Sequence, residues 1–491
     1  MNISLVLLPE TLKNNIPALG IAYLASSLKQ NNHSINKLDF NLNLDEFLDK
    51  ILKKDNNKNI STEFFLKLLS EVNSGGGNNL NRLLKNQNLF YNELNTIIKE
   101  YINFCIHKIL ETRPEIVGFS VFSRNKITSL LIAKELKKKS ITVVFGGPET
   151  TFCKILPQFL DEGWLDYIVI GEGEEAFKKI AEINEQKEDI GNVLTRNNPY
   201  KEINNVFNKQ DLDSMPYPYF DKEEIEKSDY KMLTISGTRG CKHNCKFCLH
   251  RKIWPNFYSR NPRNVVEEMK YQIKTTGVKN FRMNDSTINC DLTYLKELCK
   301  QILKENIRIK WGGNTRVDKN MTGEMFSLLY QSGCTYIKVG VESGSEKILK
   351  DMNKGAAPSQ ASEFIKKAHE SGIWVHCFFI IGYPSEKHND FLETIRFVNK
   401  NLDYIDSIIV YNYMNFPDSE TAKSGIKSIP KNIVRKRKQL FDKIYQYKEE
   451  IPFQHLLNYN GINFKKTKIN ELKSEIKVNN KMLKKYLTEF K

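Results

Sequence analysis

No stretch of the 491 residues approaches the roughly 18–20 uninterrupted apolar positions that a membrane-spanning helix needs. The opening Met1-Asn2-Ile3-Ser4-Leu5-Val6 lacks the basic start and the small-residue cleavage site of a secretory signal, and reads as a strand. Integral-membrane and secreted readings are therefore disfavoured and a cytoplasmic protein is expected. Cysteine is sparse, and its count of nine is odd. A disulfide framework is not expected, and reduced thiols are. Acidic residues are outnumbered, 58 against 74 Lys and Arg, for a formal charge of +16. A nucleic-acid binder would gather that excess into a stripe interleaved with aromatics. Here lysine is spread along the chain among many asparagines, and no nucleic-acid partner is expected. The exception is the tail, from Val434-Arg435-Lys436-Arg437-Lys438 to Lys491 with Lys484 and Lys485, which reads as a solvated helix face before an anionic-partner site.

What is present is enough to build cores. The apolar fraction is 40% and the aromatic fraction 11%, which excludes wholesale disorder, and the length suits two to four domains. Residues 3–8 form an apolar run, 20–28 have helical periodicity, and 35–40 return as a strand, a βαβ start to a parallel sheet. Residues 45–112 read as a helical insertion broken by a flexible turn at Ser74-Gly75-Gly76-Gly77-Asn78-Asn79. Strands at 116–122, 142–145 and 167–170 then alternate with helices. The turns Gly146-Gly147-Pro148-Glu149 and Gly171-Glu172-Gly173-Glu174 close the last two. Strands ending in such turns describe an open doubly wound sheet, whose ligands lie at the carboxyl ends of its strands. Glycine there lets backbone approach a ligand, and helix N-termini supply N–H donors.

Residues 1–185 are thus expected to form one α/β domain and 186–230 a linker. The linker's Asp211-Leu212-Asp213-Ser214-Met215-Pro216-Tyr217-Pro218 excludes regular helix, because each proline holds its predecessor extended. From Met232 strand and helix alternate again. Strands follow at 280–284, 309–313, 336–341, 375–381 and 407–411, with helices at 262–275, 292–304, 323–331, 360–371 and 389–400. Six β/α units are too few for a closed eight-stranded barrel, so 231–425 read as a partial barrel. Residues 426–491 read as a basic helical region.

Six cysteines (Cys105, Cys153, Cys290, Cys299, Cys334 and Cys377) stand apart and read as ordinary buried residues. The other three, Cys241, Cys245 and Cys248, fall at C-x3-C-x2-C spacing directly after the first strand of the second domain. Three neighbouring thiolates suit a soft metal centre. Structural zinc wants four ligands, and His243 or His250 would have to complete the set in a zinc-containing nucleic-acid-binding protein. On a [4Fe–4S] cluster, three cysteines leave one iron open to a small-molecule chelate, whereas four would make it an electron carrier.

Cys241, Cys245 and Cys248, with Phe247 before the last, resemble the signature of the radical S-adenosylmethionine superfamily. The resemblance implies a cluster whose open iron binds the amino and carboxylate groups of S-adenosylmethionine. One electron then cleaves the sulfonium to methionine and a 5′-deoxyadenosyl radical that takes a hydrogen from substrate. It further implies that Asn284 and Asp285 face the methionine amino group, although the family's Gly-Gly-Glu is absent from Phe281-Arg282-Met283-Asn284-Asp285. Glu342 and Ser343, in Val339-Gly340-Val341-Glu342-Ser343-Gly344-Ser345, would meet the ribose or amino group. Ile380 and Gly382, in Phe378-Phe379-Ile380-Ile381-Gly382, would pack the adenine, and Arg316 would share that pocket.

The first domain resembles the cobalamin-binding domains fused to such enzymes, through Ile16-Pro17-Ala18-Leu19-Gly20-Ile21-Ala22, the two glycine turns and the Asp211–Pro216 connector. Pro17, Leu19, Gly20, Ser120, Gly146, Gly147, Pro148, Gly171, Glu172 and Gly173 would then line a cobalamin. The Asp-x-His-x-x-Gly motif, whose histidine ligates cobalt from below, is missing, as it commonly is in the fused radical enzymes. Together the resemblances cover residues 1–420 and imply cobalamin-dependent methylation of an unactivated carbon. Cyclisation, rearrangement or oxidation by the same radical, with cobalamin an electron carrier or absent, is the second reading. A flavodoxin or ferredoxin is the expected reductant. A peptide, lipid, sugar or tetrapyrrole would each fit as substrate.

Overall fold

The computed structural model describes the chain outside residues 10–15, 55–60, 75, 154–155, 183–189, 201–211, 229–230, 251–253, 417–418, 447–476 and 479–491. It divides into two units, Met1–Lys231 and Met232–Lys491. Both are α/β.

The first unit is built on a sheet of β1 (Asn2–Leu7), β2 (Ser34–Asp39), β3 (Ile116–Ser120), β4 (Thr142–Gly146), β5 (Tyr167–Val169) and β6 (Val193–Thr195), in the order β2-β1-β3-β4-β5-β6. All neighbours are parallel except β6, which is antiparallel to β5. The apolar run at the start of the chain is explained by burial on both sides. Ile3, Leu5 and Leu7 pack with the helices Leu19–Lys29 and Glu174–Glu182, while Val6 and Leu8 pack on the opposite face.

That opposite face is covered largely by the insertion. The rings of Phe47, Phe65, Tyr101 and Phe104 meet at centroid distances of 5.0–5.4 Å and are buried against the sheet's core. The segment is therefore part of the sheet's hydrophobic core. The expected flexible turn within it is shorter than the glycine run suggests. One helix spans Thr62–Ser74 and the next begins at Gly76, with Gly75 outside the described residues. Asn79 helps by donating its side-chain amide to the Val72 carbonyl at 3.1 Å.

The expected linker is also structured in part. It supplies β6, and its later portion packs back on the first unit. The Tyr219 amide donates to the Ala22 carbonyl at 3.1 Å, Ser26 donates to the Tyr217 carbonyl, and Lys37 pairs with Glu224 and Asp221. Asp211 lies outside the described residues.

The second unit contains β7 (Met232–Ile235), a small antiparallel pair β8 (Thr238–Arg239) and β9 (Tyr258–Ser259), then β10 (Asn280–Met283), β11 (Lys310–Arg316), β12 (Cys334–Glu342), β13 (Trp374–Ile381) and β14 (Ser407–Asn412). Its main sheet runs β7-β10-β11-β12-β13-β14, all parallel and in chain order. Helices follow the strands, as in the partial barrel expected. Alternation decides the two faces. Leu233, Phe281, Ile337, Val339, Val341, Val375, Phe379, Ile381 and Ile408 are buried beneath the helices, and Phe379 meets Phe397 and Phe441. The other face carries Thr234, Arg282, Lys338, His376 and Phe378.

The basic tail departs from its reading as a wholly solvated face. The helix Lys431–Ile444 buries Val434, Phe441 and Ile444. Arg437 pairs at 2.5 Å with the buried Glu386, while Arg435 and Lys436 remain exposed. β15 (Tyr445–Gln446) and β16 (Lys477–Val478) form one further antiparallel pair. Lys484 and Lys485 lie outside the described residues. No helix among the described residues is long and apolar enough to cross a membrane.

Because the insertion is core, Phe65→Ala is expected to destabilise the first unit by about 3–5 kcal/mol, the usual cost of emptying a buried phenylalanine site. Chemical denaturation checks this. An unmoved midpoint would mean the insertion is a detached appendage.

Candidate active site

The loop after β7 is fixed before it reaches its first cysteine. The Gly237 amide donates to Asp285 Oδ1 at 2.8 Å and Thr238 Oγ1 donates to Oδ2 at 2.7 Å. The Gly237 carbonyl accepts from the Arg260 amide at 3.0 Å and from the Tyr294 hydroxyl at 3.1 Å. Arg260 is held in turn by Glu268 at 2.5 Å, both side chains being buried. Two glycines are required by this packing. A Cβ on Gly237 would stand 2.6 Å from the Tyr294 hydroxyl, and Gly240 has φ +86° with the Asn256 carbonyl against the place its Cβ would occupy. Asp285 is fully buried, and burial pushes its carboxyl up to about 6 against the pull of these hydrogen bonds.

Cys241, Cys245 and Cys248 follow on one stretch at the carboxyl edge of the sheet, all three unpaired and none fully buried. Cys245 Sγ accepts from Arg316 Nη1 at 2.7 Å, and Cys248 Sγ accepts from the His250 amide at 3.4 Å. The loop is strapped to the segment after the helix Glu346–Asp351. Lys246 donates its amide to the Met352 carbonyl at 3.0 Å, and Asn353 Nδ2 donates to the Asn244 carbonyl at 2.8 Å. Phe247 and Ile380 pack together with Tyr413 against Ile348, Met352 and Tyr383.

Cys290 is not a buried residue standing apart. It is half-buried, its sulfur accepts the Lys242 amide at 3.1 Å, and its thiol is hydrogen-bonded to Cys241. That bond draws the Cys241 thiol down, with Arg316 and Lys354 adding positive charge, and drives Cys290 up. Cys153 likewise is only half-buried. Cys248 is raised, chiefly by burial and then by the neighbouring Cys245 and Cys241. His243 is held near 4 by burial and by the charges of Arg316 and Lys354, so its imidazole is neutral. Among the described residues no three His, Cys, Asp or Glu side chains converge as the ligands of a single metal ion. Each loop thiol has a different neighbour, and the field around them is cationic.

The other expected cofactor contacts divide. Arg316 lies on Cys245 and also donates to the Asn353 carbonyl at 3.4 Å. Glu342 ends β12 in a left-handed conformation, φ +68°, and pairs with Lys354 at 2.7 Å in a buried contact. Gly340 leaves room for that pair, since a Cβ there would stand 2.8 Å from Lys354 Nζ. Asn284 is exposed on the edge of β10. These groups are arranged at one end of the sheet.

Three others are turned to structural tasks. Asp285 clamps the loop instead of presenting a free carboxylate. Ser343 is buried, with its hydroxyl on Thr394 at 3.1 Å and on the Ser345 amide at 3.1 Å. Gly382 has φ +88°, donates its amide to Glu386 at 3.0 Å, and lies against Val434. Asn353 and Lys354 went unread because nothing local marks them. Only the fold carries them to the cysteines.

In the first unit, the sheet order places its switch point between β1 and β3. Pro17, Leu19 and Gly20 follow β1, with Gly20 exposed beside open space, and Ser120 ends β3. Gly146, Gly147 and Pro148 end β4. Gly147 takes φ +96°, and the Val121 backbone fills the place a Cβ would occupy. Thr150 Oγ1 donates to the Val169 carbonyl at 2.7 Å, tying this turn to β5, where Gly171 (φ +76°), Glu172 and Gly173 follow. All ten residues lie at the carboxyl ends of the strands.

Residues 235–398 match the model of the radical SAM superfamily. These residues form a radical SAM domain. Curated relatives include an uncharacterized methyltransferase of Pyrococcus horikoshii, 27% identical over 61% of this chain and 67% of the relative. An anaerobic magnesium-protoporphyrin IX monomethyl ester cyclase of Rubrivivax gelatinosus is 28% identical over 59% of this chain and 55% of its own length. This chain thus spans between about half and two thirds of the curated relatives it matches. The fold is shared with the radical S-adenosylmethionine methyltransferase TsrM of Kitasatospora setae, at TM-score 0.63 and 15% identity, over 87% of this chain and 79% of that one.

If Asp285 is the clamp, Asp285→Ala strands two buried donors, at about 1–3 kcal/mol each. Iron bound per chain after anaerobic reconstitution should fall several-fold, while Ser286→Ala, on the neighbouring half-buried position, should retain it.

Proposed function

We propose that this radical SAM enzyme cleaves S-adenosylmethionine reductively at a [4Fe–4S] cluster held by Cys241, Cys245 and Cys248, and uses the resulting radical in a cobalamin-dependent methylation of an unactivated carbon. The observation that carries the reading is the thiol loop itself: three unpaired cysteines on one clamped stretch at the carboxyl edge, facing Arg316 and Lys354. The donor set fits an iron–sulfur cluster, because thiolates are its ligands and nearby cations stabilise thiolate over thiol. When bound, the cluster supplies one electron to the sulfonium, and cobalamin supplies a methyl group.

The chain's residues have separate tasks in this reading. Arg316 orients Cys245 and supplies positive charge beside it. The hydrogen bonds of Lys246 and Asn353 fix the loop's height over the sheet. Phe247 and Ile380 form an apolar wall that excludes water beside the thiols. Lys354 and Glu342 neutralise each other and leave the remaining acceptor positions of Glu342 for hydroxyl or ammonium groups of a ligand. In the first unit, the backbone at Gly20, Gly147 and Gly171 offers close approach for a large flat cofactor, and TsrM, with the same fold, has cobalamin and a [4Fe–4S] cluster bound. A flavodoxin or ferredoxin would deliver the electron. The cyclase relative supports a second reading, radical cyclisation without methyl transfer.

The reconstituted protein, given S-adenosylmethionine and reductant, should release 5′-deoxyadenosine, and Cys245→Ala should abolish it. Cys290→Ala should retain most of the yield, because three thiols suffice. Loss in both variants would make Cys290 a fourth ligand and overturn the open-iron reading. Label from the S-adenosylmethionine methyl group in product separates methylation from cyclisation.

A further inference from the structure

The concave face of the second unit's sheet, opposite the helices, has a chemistry that cluster and S-adenosylmethionine do not account for. Arg282 stands beside Thr234 on β7 and Gly312 on β11, and Gly312 pairs in turn with Tyr336 on β12. Two residues further along, Asn314, Lys338, His376 and Ser407 form the next row across β11 to β14. Arg282 and Lys338 therefore rise from strands two apart, with the Tyr336 ring lying over Gly312 between them. Along these strands the concave positions carry one acid, Glu342 at the rim, and it is paired with Lys354.

Two like charges on a half-enclosed surface repel. Lys338 is pushed down to about 8, first by burial and then by Arg282, and His376 falls to about 3 through burial and Lys338. Two buried polar atoms in the same rows make no hydrogen bond to protein: Thr234 Oγ1 and His376 Nε2. The other ring nitrogen of His376 meets Ser407 Oγ at 2.5 Å. Buried polar atoms in a native fold are normally satisfied, so two orphans beside two cations mark a place built for a polar guest. Alongside runs an aromatic wall, His376 to Phe378 at 5.0 Å and Phe378 to Tyr411 at 5.8 Å, with the Tyr411 ring half-exposed.

We propose that this face is a substrate subsite for an anionic group, a carboxylate or a phosphate, gripped by Arg282 and Lys338 with Thr234 and His376 completing its hydrogen bonds and Phe378 and Tyr411 holding an adjoining apolar body. The guanidinium offers a planar fork to two oxygens and the ammonium a point charge, a pairing suited to either anion. The anion removes the repulsion between the two cations. As a substrate subsite it rests on the radical reading above; as an anion site it stands on this geometry alone.

The test uses the full chain and two probes, inorganic phosphate and 3-phenylpropanoate, titrated calorimetrically and by thermal melting. Saturable binding of at least one, with a rise in melting temperature, is expected, and the tighter probe identifies the group. Arg282→Gln and Lys338→Gln should each weaken it about tenfold or more, the loss of roughly 1.4 kcal/mol. Arg282→Lys and Lys338→Arg, which keep the charge, should hold within about threefold, separating lost charge from lost fold. The outer-face Lys274→Gln should change nothing. Failure of both probes to saturate, or binding unaltered in both glutamine variants, would overturn the site. Repeating the titration on Cys245→Ala keeps the two readings apart. Anion binding in a protein whose wild type makes no 5′-deoxyadenosine sinks the catalytic reading alone, and cleavage without anion binding sinks the subsite alone.

Discussion

The chemistry proposed for the second unit depends on holding three cysteines together at the edge of a sheet without letting them drift. Cys245 against the Arg316 guanidinium, at 2.7 Å, is the contact that ties the cysteine loop to the strands. Arg316 is itself anchored through its backbone, which exchanges hydrogen bonds with the Asn289 side chain at 2.7 and 3.0 Å. Lys354 adds a second cation, kept in place by Glu342. Clustered thiolates repel one another, and fixed positive charge nearby is the ordinary physical remedy.

The clamp upstream meets the complementary requirement, rigidity. Asp285, Tyr294 and Arg260 converge on Gly237 from three different segments, so the loop leaves β7 in one direction only. Neither glycine in this turn tolerates a side chain. Downstream, the Asn244 carbonyl accepts from the Asn353 side chain and the Lys246 amide donates to the Met352 carbonyl. A loop that looks unconstrained in the sequence is thus fastened at both ends by groups up to 109 residues away.

The two faces of the second sheet divide the labour. Its outer face is apolar, covered by helices and also by the amphipathic helix of the basic tail, whose Arg437 satisfies the buried Glu386 beside Gly382. Its concave face is polar and cationic. Stability is drawn from one side and the proposed chemistry is placed on the other, which is why alternation along β10, β12 and β13 carries so much information. In the first unit both faces are apolar, and the glycine turns lie at the carboxyl edge.

Most strands and helices were legible in the chain alone, because apolar periodicity and glycine or proline punctuation act locally. The partial barrel, the doubly wound sheet and the C-x3-C-x2-C loop all follow from patterns within short windows. The insertion's share of the core, the edge strand β6 and the packed tail did not, since each is decided by which distant surface an apolar face meets. Cysteine spacing determined that Cys241, Cys245 and Cys248 would lie near one another, for eight residues reach only so far. Tertiary structure alone decided that Cys290, Arg316, Asn353 and Lys354 join them, that Asp285 and Ser343 turn inward, and that Arg282 and Lys338 share one face. Strand register brings residues from separate β/α units together, and no local signal encodes it.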